Sequence, residues 1–72
     1  NPHVKITLHS YNGKYIIKFE KANLEQSYKI EETEVNGDED VKALIDDEFI
    51  EAVLNRFQDM RDAFVSTIRR NE

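Results

Sequence analysis

The dipeptide Asn12-Gly13 constrains the fold of this chain more than any other feature of its sequence. A type I′ turn needs positive φ at both central positions, and Asn followed by Gly adopts that conformation readily. The segment before it, 4–9, alternates between apolar and polar side chains, as a half-buried strand does, and 14–20 follows the same pattern except at Ile16. The sequence therefore predicts an antiparallel β-hairpin closed by a two-residue loop.

A loop of that length determines how the two strands pair. Counting outward from the turn gives these pairs: Leu8 with Ile17, Ile6 with Phe19, Thr7 with Lys18, and Lys5 with Glu20. The first two pairs are apolar and share one face of the hairpin, whereas the other two share the opposite face. Lys5 and Glu20 also carry opposite charges, which favours this register.

A third strand is predicted after Ala22-Asn23. Leu24, Tyr28 and Ile30 share one parity, and the charged residues near them share the other. Loops of two and of four residues before this strand both preserve the parity, so its register is left open. Neither Pro nor Gly interrupts residues 14–35, which favours an antiparallel meander.

The second half of the chain is predicted to be helical, with a break. Residues 38–70 contain neither Gly nor Pro. At about 100° per residue, the apolar residues of 49–68 form one stripe, and those of 41–45 lie about 150° away from it. One continuous helix could not turn both stripes towards the same sheet, so the two stripes indicate two helices.

The acidic triplet 46–48 marks the predicted break. Asp46 is expected to be an N-cap, and the two acidic residues after it suit the positive end of the helix dipole. The sequence therefore predicts a short helix at 38–45 and a long helix at 47–70. Asp38 or Asp40 is expected to cap the short helix in the same way.

These elements predict one α+β domain over 1–72, with the order β-β-β-α-α. A three-stranded antiparallel β-meander occupies 1–35, and the long helix packs on one sheet face. The predicted core is Val4, Ile6, Leu8, Ile17, Phe19, Tyr28, Ile30, Phe49, Val53, Phe57, Met60 and Phe64. Val41, Leu44 and Ile45 are expected to cover one edge of the sheet.

Composition narrows the chemistry that the chain can perform. The 72 residues include no cysteine, which excludes disulfides, thiolate metal sites and a cysteine nucleophile. Such a composition suits a reducing compartment, so a cytoplasmic location is expected. No apolar stretch approaches the length of a membrane span, and no signal-peptide pattern is visible.

No catalytic, cofactor, metal or small-molecule site is predicted. Asn36, Asp38 and Asp40 have the spacing of the first ligands of a calcium loop. However, Val41 and Asp47 stand where such a loop needs Gly and a bidentate Glu. His3 and His9 have no neighbour at ligand spacing and are expected to face solvent. No nucleophile or phosphate-binding motif occurs, so the chain is not expected to be an enzyme.

The long helix suggests a protein interaction. It would run about 36 Å, whereas a seven-residue strand spans about 23 Å. Two arrangements are left open: either one sheet covers the whole apolar stripe, or the stripe partly overhangs the sheet and needs a partner at Phe57, Met60, Phe64 and Ile68. A homodimer formed through this helix or an edge strand would enlarge a small core, and another protein could bind the same stripe.

A basic sheet face offers an alternative partner. The polar parity of the hairpin includes Lys5, His9, Tyr11 and Lys18. Lysines beside an aromatic ring can hold single-stranded nucleic acid weakly. The net charge of −5 and the single clear aromatic residue on this face weigh against that partner. The leading prediction is therefore a self-associating, non-catalytic interaction module.

Overall fold

The computed structural model describes residues 4–72 and has the predicted α+β architecture. The elements are β1 (Lys5–Tyr11), β2 (Lys14–Lys21), β3 (Leu24–Glu31), one 3₁₀ turn (Glu32–Glu34), α1 (Asp38–Leu44) and α2 (Asp47–Arg70). The strands form one antiparallel sheet in the order β1-β2-β3. Both helices follow the sheet in the chain and pack on the same face of it.

The first hairpin has the predicted turn and register. Asn12 and Gly13 adopt φ values of 56° and 76°, so both central residues of the loop have the positive φ of a type I′ turn. Leu8 lies opposite Ile17, and Ile6 lies opposite Phe19. The local chemistry of this turn is sufficient to align seven pairs of residues.

The second hairpin closes with a two-residue loop, which settles the register that the sequence left open. Lys21 pairs with Leu24, so Ala22 and Asn23 form the loop. Ala22 has φ of 54°, whereas Asn23 does not have positive φ, and this is the pattern of a type II′ turn. Glycine is the usual residue at that first position, because a Cβ disfavours positive φ.

The break between the helices lies at the predicted residue. The backbone N–H of Phe49 donates to the carboxylate Oδ1 of Asp46 at 2.8 Å, and Asp46 itself has extended backbone. Asp47 and Glu48 occupy the first turn of α2, and Arg69 and Arg70 occupy the last. Charges of both signs therefore complement the helix dipole.

The predicted cap of the short helix is wrong. Gly37, with φ of 96°, precedes α1 and supplies no side chain, so no side chain caps the helix. The Asp40 carboxylate instead accepts from the backbone N–H of Asn36 at 2.8 Å. The Asp40 side chain thus binds the loop that precedes α1 to the first turn of this helix. Asp38 is the first residue of α1.

Replacing Asp46 with alanine should lower the free energy of unfolding by about 1 kcal/mol, because the N–H of Phe49 loses its acceptor. Urea unfolding followed by circular dichroism measures this loss. Asp47→Ala is the matched control: it removes the same charge one residue later and should cost only a few tenths of that amount. Equal losses for the two variants would contradict the assignment of the cap.

The fully buried residues come from one strand and both helices. They are Ile17 and Phe19 of β2, Val41 of α1, and Val53 and Phe57 of α2. The central strand supplies the sheet side of this core because it is flanked on both sides, whereas β1 and β3 are edge strands. Val41 was expected only to cover an edge, yet it is completely buried.

Four predicted positions differ from the structure. Ile6 is 38% exposed and Phe64 is 56% exposed, so neither belongs to the core, and Ile30 is half-buried outside the core cluster. Leu44, expected to cover a sheet edge, is 44% exposed. Ile6 and Ile30 lie on edge strands, which have no neighbouring strand to shield their side chains. Phe64 lies on the part of α2 that extends past the sheet.

Three aromatic rings join the sheet to the start of α2. Phe19 and Phe49 meet edge to face with ring centroids 5.4 Å apart, and Tyr28 packs edge to face against both. Such arrangements place the positive edge of one ring against the negative face of another. Each ring contacts the other two, and Phe19 is the most deeply buried of the three.

A polar clamp joins the sheet to the middle of α2. Gln26 on β3 points to the helix side of the sheet, and its Nε2 donates to the backbone carbonyl of Val53 at 2.9 Å. The Tyr28 hydroxyl donates to Oε1 of the same Gln26 side chain. Both ends of the amide are therefore satisfied where α2 crosses β3.

The molecule is elongated, with principal extents of 48 × 26 × 17 Å. The last buried residue of α2 is Phe57, and the helix continues to Arg70. The final turns of α2 therefore project beyond the sheet. No helix within 4–72 is both long enough and apolar enough to span a bilayer.

Candidate interaction surfaces

The apolar stripe of α2 divides into a buried part and an exposed part. The arrangement in which Phe57 overhangs the sheet is wrong, because this ring is buried in the core. Met60 is half-buried and packs against the same core. Phe64 and Ile68 are 56% and 48% exposed, one helical turn apart. Only these two of the four predicted contact residues are available as an apolar surface.

The loop between β2 and β3 lies beside this exposed part. Together they form a groove of about 260 Å³, called here the turn–helix groove, and its lining is mainly apolar. Its lining residues are Ala22, Asn23, Leu24, Arg61, Phe64, Val65 and Ile68. Sequence reasoning missed Ala22 and Leu24, because no local pattern places a hairpin loop against a distant helix.

A second apolar groove, of about 310 Å³, lies where α1 meets α2 above β3. We call it the β3-edge groove. Its lining residues are Ile17, Tyr28, Lys29, Ile30, Leu44 and Phe49. Leu44 was expected to seal this side of the sheet, but it lies exposed in the wall of the groove. Apolar side chains thus border the open side of β3.

The outer sheet face carries the residues proposed to hold nucleic acid. The register places Lys5, His9 and Tyr11 of β1 on that face with Lys18 of β2. Glutamates lie among these lysines: Lys18 approaches Glu25 at 3.9 Å, and a similar contact joins Lys14 to Glu31. The positive charge is therefore partly neutralised across the strands.

The acidic residues do not form a metal-binding group in the described part of the chain, where no three potential ligands cluster. His3 lies outside the described residues. Tyr15 lies beside Asp38, the first residue of α1. Desolvation, followed by the negative charges of Asp38 and Glu32, raises the pKa of its hydroxyl above the ordinary 10.0. The hydroxyl therefore stays protonated at neutral pH.

Comparison with known proteins identifies no relative of this chain. No family model, curated protein or solved structure matches it. The chemistry of its own surfaces is therefore what indicates a function, and the most distinctive of them are the two apolar grooves.

Proposed function

We propose that this chain is a non-catalytic protein–protein interaction module that self-associates through the turn–helix groove. The observation that carries the proposal is the half-exposure of Phe64 and Ile68 on the projecting end of α2. Two large apolar side chains in adjacent turns, with apolar loop residues beside them, form a contiguous patch rather than scattered exposure. Contiguous patches of this kind are typical of interaction sites.

The free energy available from this patch favours association. Burying a Phe or Ile side chain completely is worth roughly 1.5–3 kcal/mol, so covering an exposed half contributes roughly 1 kcal/mol. A twofold dimer covers Phe64 and Ile68 of both copies, and Leu24 adds to the contact. A domain of this size has a small core, and a dimer would enlarge it.

Charge favours an antiparallel arrangement of the two α2 helices. With their twofold axis near Ser66, Phe64 lies against Ile68 of the second copy. At about 100° per residue, Arg61 lies only about 40° from the centre of the stripe formed by Phe64 and Ile68. The antiparallel arrangement keeps the Arg61 side chains of the two copies apart. A parallel arrangement would instead bring Arg61 next to Arg61 of the second copy.

Replacing Phe64 with aspartate tests the proposal. Sedimentation equilibrium over a wide concentration range should show reversible dimers for the unaltered chain, and a dissociation constant at least about tenfold higher for Phe64→Asp. Ser66→Asp, on the opposite face of α2, is the matched control and should dimerise normally. Circular dichroism should show all three proteins folded. Unchanged dimerisation of Phe64→Asp, or a strictly monomeric unaltered chain, would overturn the proposal.

Binding of single-stranded nucleic acid by the outer sheet face is the weaker alternative, because glutamates neutralise part of that face. It predicts salt-dependent binding that Lys18→Glu abolishes. Absence of binding at low salt would remove this alternative. We also propose a cytoplasmic location, which the cysteine-free composition suits.

A further inference from the structure

We propose a second contact between copies of this chain, in which β3 of one copy pairs antiparallel with β3 of another. The two sheets would then form one six-stranded sheet with all four helices on the same face. This contact uses a different surface from the turn–helix groove and does not depend on it. Three observations support it: the free backbone groups of β3, the charges along the strand, and the β3-edge groove.

Within residues 4–72, no strand pairs with the outer edge of β3. The N–H of Glu32 donates to the carbonyl of Gly13 at 2.9 Å, and alternate residues of β3 therefore bond to β2. The residues between them turn their N–H and C=O groups away from β2. These residues are Glu25, Ser27, Lys29 and Glu31. Neither a proline nor a bulge, two features that block pairing at a sheet edge, interrupts the eight residues of β3.

The charges of β3 complement a second copy in one register. With the twofold axis at Ser27, Glu25 lies opposite Lys29 of the second copy, and the symmetry forms this pair twice. Moving the axis by one residue, to Tyr28, places Glu25 opposite Glu31 of the second copy instead. Opposite charges directly across two strands stabilise the pairing, and like charges destabilise it. The strand therefore selects the register centred on Ser27.

The helix-facing side of β3 also matches its own copy. In the register centred on Ser27, Leu24 of the second copy lies beside Ile30, at the open side of the β3-edge groove. The exposed Leu44 in the wall of that groove would gain an apolar neighbour. The other sheet edge differs, because the groove beside β1 includes the polar residues His9, Asp38 and Lys42. Pairing at β3 therefore joins the apolar, helix-facing sides of the two sheets.

Amide hydrogen exchange measured by NMR tests this contact on the full chain. The N–H groups of Ser27 and Lys29 should exchange freely at low protein concentration. At high concentration they should exchange at least about tenfold more slowly, because pairing satisfies them. Phe64→Asp should leave this protection in place, which distinguishes a failure of the helix contact from a failure of the strand contact. Exchange at the same rate at both concentrations would overturn the β3 proposal.

Two sets of variants test the backbone hydrogen bonds and the charge pairs of the proposed β3 contact. Ser27→Pro removes an N–H that does not bond to β2, so the monomer keeps its sheet but should lose the concentration-dependent protection of Lys29. Ser27→Thr keeps the N–H and is its control. Glu25→Lys and Lys29→Glu should each weaken the contact, and combining them should restore it. A combined variant no better than either single variant would contradict the register centred on Ser27.

Discussion

Replacing Phe19 with alanine should leave most of the chain unfolded at 25 °C. The ring is completely buried on the central strand and meets both Tyr28 and Phe49 edge to face. Removing a buried Phe costs about 3–5 kcal/mol, because apolar contacts are lost and a cavity remains. Domains of this size are rarely more stable than about 3–5 kcal/mol, so the loss equals most of the available stability. Far-UV circular dichroism and urea unfolding measure it.

Phe64→Ala is the matched control for that prediction. It makes the same chemical change at a ring that is more than half exposed. At concentrations where the chain is monomeric, it should cost less than about 1 kcal/mol. Comparable destabilisation by the two variants would contradict the placement of the core around β2.

Gln26→Leu should cost about 2 kcal/mol, the second largest effect expected. The substitution removes the bond from Gln26 to the Val53 carbonyl and leaves the Tyr28 hydroxyl without its acceptor. Leaving a half-buried polar group without a hydrogen-bond partner costs about 1–3 kcal/mol of stability. This loss exceeds the stability gained by burying an apolar side chain of similar size. Urea unfolding at several protein concentrations separates this cost from any effect on association.

Two further variants identify the source of the Gln26 effect. Gln58→Leu alters an exposed glutamine that bonds to the side chain of Asp62, and it should be nearly neutral. Adding Tyr28→Phe to Gln26→Leu should recover part of the lost stability, because no hydroxyl then remains without an acceptor. Strictly additive losses from these two substitutions would show that the polar clamp does not act as a unit.

The sequence predicted correctly the features that depend on neighbours along the chain. Asn12-Gly13 determines its turn through backbone sterics alone, and the alternation beside it determines which face is apolar. Asp46 terminates one helical stripe and caps the next through its own carboxylate. In each case the cause lies within a few residues of the effect.

The sequence could not predict the features that depend on distant parts of the chain. Ala22-Asn23 carries no strong turn signal, so the length of its loop follows from strand pairing. Phe57 and Phe64 occupy the same helical stripe, yet only the sheet's extent makes one buried and the other exposed. Both grooves form where β3, or the loop before it, approaches a helix. A pattern of neighbouring residues carries no information about such long-range contacts, so it could not predict which residues line the grooves.

The projecting end of α2 has a hydrodynamic consequence. The radius of gyration is 14.5 Å, whereas a compact chain of this length would have about 11 Å. A rod-like monomer experiences more friction than a sphere of equal mass and emerges early from a gel-filtration column. Its elution volume would therefore suggest a dimer even when each molecule migrates alone.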